Sequence, residues 1–122
     1  MVLLKRAYDR PSPKDGKRFL VERLWPRGIR KADLPLEAWV KEVAPSTELR
    51  KWFSHDPEKW KEFQRRYRAE LQRSRAAWMP ILDAARKGTI TLIFSSHDAE
   101  RNNAVVLKHF LESHLSQAKK AA

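Results

Sequence analysis

A chain of 122 residues, 42% hydrophobic and 34% charged, is one domain's length and apolar enough to bury a core, which excludes a disordered chain. It has no cysteine, which excludes disulfides, thiol nucleophiles and cysteine-held metals, and no apolar run reaches the roughly 18 residues of a spanning helix. The net charge of +11 is spread along the chain, with 15 basic and 9 acidic groups in residues 1–61 and 11 and 6 in residues 62–122, so a positive field surrounds the whole domain.

In chain order, residues 2–8 (VLLKRAY) predict a strand with Lys5 and Arg6 inside it, at its exposed or functional end. The start is too short in apolar residues for a signal peptide, and a cytoplasmic location is expected. Residues 9–17 form a loop, because Pro11, Pro13 and the Asp15-Gly16 pair are turn formers. Residues 19–25 predict a second strand, with a short helix as the alternative, stopped by Pro26 and Gly28. Asp15-Gly16 could close a hairpin between the two strands. The loop is longer than a tight turn needs, so strand direction is open.

Residues 31–37 predict a turn or short helix broken at Pro35, and residues 38–43 a short third strand ended by Pro45. Ser46 is placed as a helix N-cap before a short helix over residues 49–53, and Asp56-Pro57 starts the next. Over residues 58–75, Trp60, Phe63, Tyr67 and Leu71 recur at helical steps, with arginines and lysines on the rest of the surface. Trp78, Ile81, Leu82 and Ala85 continue the pattern past an expected break near Pro80, and Gly88 ends it. Residues 89–94 (TITLIF) predict a central strand covered on both faces. Residues 102–115 predict the last helix.

Strands alternating with helices predict an α/β fold: a small, mostly parallel sheet of three or four strands flanked by helices on both faces. It forms a single domain over residues 1–117, with a frayed tail at residues 118–122. In such sheets ligands bind outside the carboxyl ends of the strands. Those ends carry Tyr8 and Asp9, then Arg23, Trp25 and Arg27, then Ser46, then Ser95, Ser96 and Asp98.

The segment RLWPRG (residues 23–28) is the focus, because arginine's planar donors match phosphates and carboxylates while proline and glycine fix the backbone. Arg23 and Arg27 are the candidate anion-holding residues, or ion-pair partners of Glu22, Asp9 or Asp33. Trp25 is a stacking platform or a packing anchor. Asp9 is a candidate general base or a turn residue. Ser46 is a phosphate-binding helix start or a plain cap. Ser95 and Asp98 belong to Ser95-Ser96-His97-Asp98, which has the residue types of a triad, but neighbours on a strand end diverge, so the reading is a binding cluster. His55, His97, His109 and His114 lack metal-ligand spacing, no metal is expected, and no dinucleotide or phosphate-loop fingerprint calls for a cofactor.

The order of motifs resembles the domain of unknown function 488 family, in its short YeaO-like branch. The matching pieces are RAYD (residues 6–9), LVERLWPRG (residues 20–28), APSTELRKWF (residues 44–53), HDP (residues 55–57), FQRRYRAEL (residues 63–71) and TLIFSSHDAERNNAVVL (residues 91–107). The resemblance implies a small cytoplasmic α/β domain whose biochemical activity is not established. A longer branch is similar in an Arg-x-x-Pro motif, matched by Arg23 and Pro26, and carries a Cys-His-Arg triplet where this chain has Asn102, Asn103 and Ala104. The expected function is binding of a small phosphorylated or carboxylated ligand at the strand ends, with or without catalysis. The alternative is a nucleic-acid-associated module working through diffuse positive charge.

Overall fold

The computed structural model describes residues 1–117 in full and the backbone of the last helix as far as Ala121. The tail expected to fray, residues 118–122, lies outside the fully described residues.

The apolar run at 90–94 forms the middle of the sheet. Strand β4 (Ile90–Phe94) is flanked by β1 (Val2–Arg6) and β2 (Lys17–Leu20), and β3 (Ala38–Trp39) lies outside β2. The order is β1-β4-β2-β3 and every neighbouring pair is parallel. Leu92 is opposite Leu4 on one side and Phe19 on the other, so apolar side chains line up across three strands. All five residues of β4 are buried. A run of β-branched residues without polar alternation suits that position, since both faces must be apolar.

Alternation along the strands divides the core. Val2, Phe19, Val21, Ile90, Leu92 and Phe94 join one cluster with side chains of all four α-helices. These are α1 (Thr47–Phe53), α2 (Trp60–Gln72), α3 (Arg75–Lys87) and α4 (Asn103–Ala121). The aromatic stripe of α2 is core, as its spacing predicts: Phe63, Tyr67 and Leu71 are buried, and Phe63 stacks on Phe53 at 4.3 Å. On the opposite face, Leu20 and Ile93 are covered by Leu34, Trp25, Ile29 and Leu36 from the long β2–β3 connection. Both faces are covered, but the helices gather over one.

Several boundaries differ from the expected ones for physical reasons. Asp15-Gly16 closes no hairpin, because β4 lies between β1 and β2. The pair ends a 3-10 turn, Pro13–Asp15, capped reciprocally by Ser12 and Asp15. Gly16 sits at φ +63°, and a Cβ there would collide with the Thr89 carbonyl oxygen. β2 leaves the sheet after Leu20, where Trp25 turns back to pack edge-on against Trp39 at 5.3 Å. The third strand has only two residues, and its remainder is a 3-10 turn, Lys41–Val43.

The break between α2 and α3 falls at Arg73 and Ser74, not at Pro80, which lies inside α3. Ser74 Oγ donates to the Glu70 carbonyl and Trp78 Nε1 to the Leu71 carbonyl, so the last turn of α2 keeps its partners. Among the described residues no helix is long and apolar enough to cross a membrane.

Candidate functional site

Parallel strands bring their carboxyl ends to one edge, and three segments far apart in the chain meet there. At the end of β1, Arg6 Nε donates to the Ser96 carbonyl at 2.9 Å, and its Nη2 reaches the Ser95 carbonyl and His97 Nδ1, both at 3.4 Å. The Arg6 guanidinium lies 4.9 Å over the Tyr8 ring. The Tyr8 hydroxyl donates to the Arg27 carbonyl at 3.0 Å, tying the loop after β2 to the end of β1. Asp9 accepts from the Arg6 amide at 3.1 Å and so closes the turn after β1.

The loop after β2 is anchored twice more. Trp39 Nε1 donates to the Glu22 carbonyl and Trp25 Nε1 to the Ile29 carbonyl, both at 2.6 Å. Trp25 thus packs and fastens the loop. Arg23 donates through Nε to the Pro45 carbonyl and through Nη2 to the Ala44 carbonyl, both at 3.1 Å, fixing the approach to α1. Arg27 is exposed, and its guanidinium has no hydrogen-bond or ion-pair partner among the described residues.

Glu22 is an acidic group of this edge, beside Asp9 and Asp98. Its Oε1 accepts from the Ser95 amide at 3.0 Å and from Ser95 Oγ at 3.3 Å. Burial pushes the Glu22 carboxyl above its ordinary range, against the pull of the Ser95 bonds and the charge of Arg50. Beneath it, Tyr67 donates to the Val43 carbonyl at 2.6 Å. Burial, with Glu22 and Glu70 nearby, pushes the Tyr67 phenol well above its usual value.

Ser46 caps α1, accepting from the Leu49 amide at 3.1 Å, and donates to Glu70 from its hydroxyl at 2.6 Å and its amide at 2.8 Å. Asp98 accepts from the amides of Glu100 and Arg101 at 2.9 and 3.0 Å. Those bonds hold its carboxyl below the usual carboxylate range. Asn102 caps the last helix by accepting from the Val105 amide at 3.1 Å. Asn103 Nδ2 donates to the Val21 carbonyl at 2.8 Å, so the helix start is tied to the end of β2.

The edge therefore joins Ser95 to Glu22 and Arg27's loop to Tyr8. Arg23, Trp25, Ser46, Ser95 and Asp98 each have partners within the fold, and Arg27 has its head group free among the described residues. Ser95, His97 and Asp98 point to three different partners and form no relay. Among the described residues no group of three or more metal-ligating side chains converges. Three contributors lay outside the predicted set. In the sequence Arg6 is only a charge near a strand end, Glu22 a candidate ion-pair partner, and Asn103 the replacement for a motif residue. The shared signal in the first two is a charged side chain within two residues of an apolar run, residues 2–4 before Arg6 and residues 19–21 before Glu22.

A four-stranded parallel α/β domain with a polar, loop-anchored carboxyl edge is the class that this fold and site define. The chain belongs to the DUF488-N3i family, described as the inactive DUF488-N3 subclade, whose model matches residues 1–122. It is 44% identical over 109 residues to the uncharacterised protein YeaO of Escherichia coli K12, covering 89% of this chain and 95% of that one. It is 41% identical over 110 residues to the uncharacterised protein Rv3073c of Mycobacterium tuberculosis H37Rv, covering 90% and 92%. No solved structure matches.

Proposed function

We propose that this domain binds a small phosphorylated or carboxylated compound at the carboxyl edge of its sheet and performs no covalent chemistry on it. The observation that carries the reading is the state of Arg27. Its loop is pinned by Tyr8, Trp25 and Trp39, yet its guanidinium is exposed and unpartnered among the described residues. A cation held on a preorganised loop binds an anion with less loss of conformational freedom than one on a mobile loop. Arg6 adds a second positive charge, fixed by the Ser95 and Ser96 carbonyls.

Asn102, Asn103 and Ala104 stand where the longer branch has its Cys-His-Arg triplet, and both asparagines are engaged in holding α4. No nucleophile occupies that place. The family's description as an inactive subclade agrees with a binding role.

A thermal-shift screen of inorganic phosphate, nucleotides, sugar phosphates and small carboxylates in 0.15 M salt tests the reading. One compound should raise the melting temperature, and Arg27→Ala should weaken its binding tenfold or more, in line with the roughly 1.5–3 kcal/mol of a hydrogen bond to a charged group. The unliganded melting temperature should be unchanged. Equal binding by the Arg27→Ala protein would defeat the proposal.

A further inference from the structure

A second basic feature lies away from the strand ends. Along α2, Lys61, Arg65, Arg68 and Gln72 recur at steps of three and four, so they form one exposed row about 16 Å long. Glu62 is held by Arg65 at 2.6 Å and Arg66 at 2.8 Å. Those two arginines hold its carboxyl at about 2, so it stays ionised and offsets one of the two. Lys61, Arg68, Arg73 and Arg75 have no acidic partner among the described residues.

The row leads into a cleft of about 590 Å³ between α2, α3 and residues 109–117 of α4. No carboxylate lines it. Arg68 and Arg75 stand with Gln72, Ser113 and His109 around it, and Trp78, Phe110 and His114 form an aromatic cluster at its base. The ring centroids of His114 lie 4.6 Å from both Trp78 and Phe110, and the latter two are 5.0 Å apart. Trp78 is buried, whereas Phe110 and His114 are only partly so.

We propose that this row and cleft are a docking surface for single-stranded nucleic acid. A line of cations about 16 Å long suits a polymer that repeats its charge, not a lone phosphate. The charges are mostly arginines, whose forked donors match phosphate oxygens. The partly exposed rings of Phe110 and His114 give bases a surface to stack on, which a paired duplex does not offer and an acidic peptide does not use. Gln72 supplies donors and acceptors suited to a base edge.

Fluorescence anisotropy with labelled 12-mer RNA and DNA, single-stranded and duplex, at 50 to 200 mM NaCl decides the matter. The Arg68→Ala/Arg75→Ala protein should bind the single strands at least tenfold more weakly and lower the log-log salt slope by about 1.4. A control removes the same charge from the connections after β1 and β2: Lys14→Ala/Lys31→Ala should change affinity less than about threefold. Both double variants alter exposed side chains, and matching melting temperatures verify their folds. Equal weakening by the two pairs would show that only overall charge matters. Absence of binding at 50 mM salt, preference for duplex, or equal competition by polyglutamate would each overturn the proposal too. Arg27→Ala should bind the oligonucleotides as the wild type does, which separates this surface from the strand-end site.

Discussion

Asp15 is 4% exposed and serves three partners at once: Lys5 from β1, Arg18 from β2 and the Ser12 amide. Its backbone carbonyl also accepts from Thr91 Oγ1 of β4 at 2.7 Å. Burial alone would raise its carboxyl, but the bonds from Lys5, Ser12 and Arg18 outweigh burial and lower it. Removing the charge would leave Arg18, itself 6% exposed, without its ion-pair partner. Arg18 Nη2 already has no partner among the described residues. Asp15→Asn should therefore cost about 3 kcal/mol at pH 7, the lower end for breaking a buried pair. A lowered folded-state pKa contributes stability that is present above the unfolded value, about 3.9, and is lost as pH falls through the folded value. Urea unfolding of both proteins at pH 7, 5 and 3 should show a full gap at pH 7 and a narrower one at pH 3. A constant gap would mean that shape, not charge, is at stake. In the sequence Asp15 is visible only as a turn residue beside Gly16, because its charged partners lie on two strands whose adjacency no local pattern reveals. Ser46 is the contrasting case. Its cap to Leu49 spans three residues and is legible, while its bond to Glu70 spans 24 and is not.

At the scale of elements, periodicity made β4 and α2 readable and gave their roles correctly, because burial on one stripe or on both faces leaves a direct mark on residue choice. The ends were less readable. Proline at 80 was expected to break a helix, yet α3 runs through it and the chain turns at Arg73 and Ser74. Tertiary packing of Trp78, Ile81, Leu82 and Ala85 holds α3 continuous over the missing amide. That continuity has a cost, since an interior proline is about 3 kcal/mol worse than alanine in a helix, less up to about 1 kcal/mol for the freedom it removes from the unfolded chain. Pro80 is exposed, so nothing in the core depends on its ring. Pro80→Ala should stabilise the domain by about 2 kcal/mol in chemical denaturation. A neutral or destabilising result would show that the ring fixes the geometry of α3 against its neighbours. The helix-poor face was the least legible part. Leu34, Ile29 and Leu36 follow no strand or helix period, because they cover the sheet from an irregular connection.

Over the whole molecule the decisive quantity is the +11 charge on a domain of 122 residues. A compact chain of this length has a radius of gyration of about 14 Å. At 10 mM salt the screening length is about 30 Å, so every surplus charge repels every other; at 150 mM it is about 8 Å, and only neighbours do. The visible surface ion pairs, such as Arg30–Asp33 and Arg86–Asp83, are exposed and contribute little at either ionic strength. Raising NaCl from 10 to 200 mM should therefore raise the melting temperature, by about 4 °C if relief of repulsion is near 1 kcal/mol. A fall would mean that attraction between paired charges outweighs the surplus. The same titration reports where the repulsion is concentrated. If the crowding of arginines along α2 and its cleft is the main source, Arg68→Ala/Arg75→Ala should melt higher than wild type at 10 mM salt and respond less to added salt, whereas Lys14→Ala/Lys31→Ala should keep the wild-type response. A basic face that lowers stability when empty and is relieved by counterions is what a surface shaped for a polyanion entails. Identical responses from the two double variants would instead assign the charge to the domain as a whole.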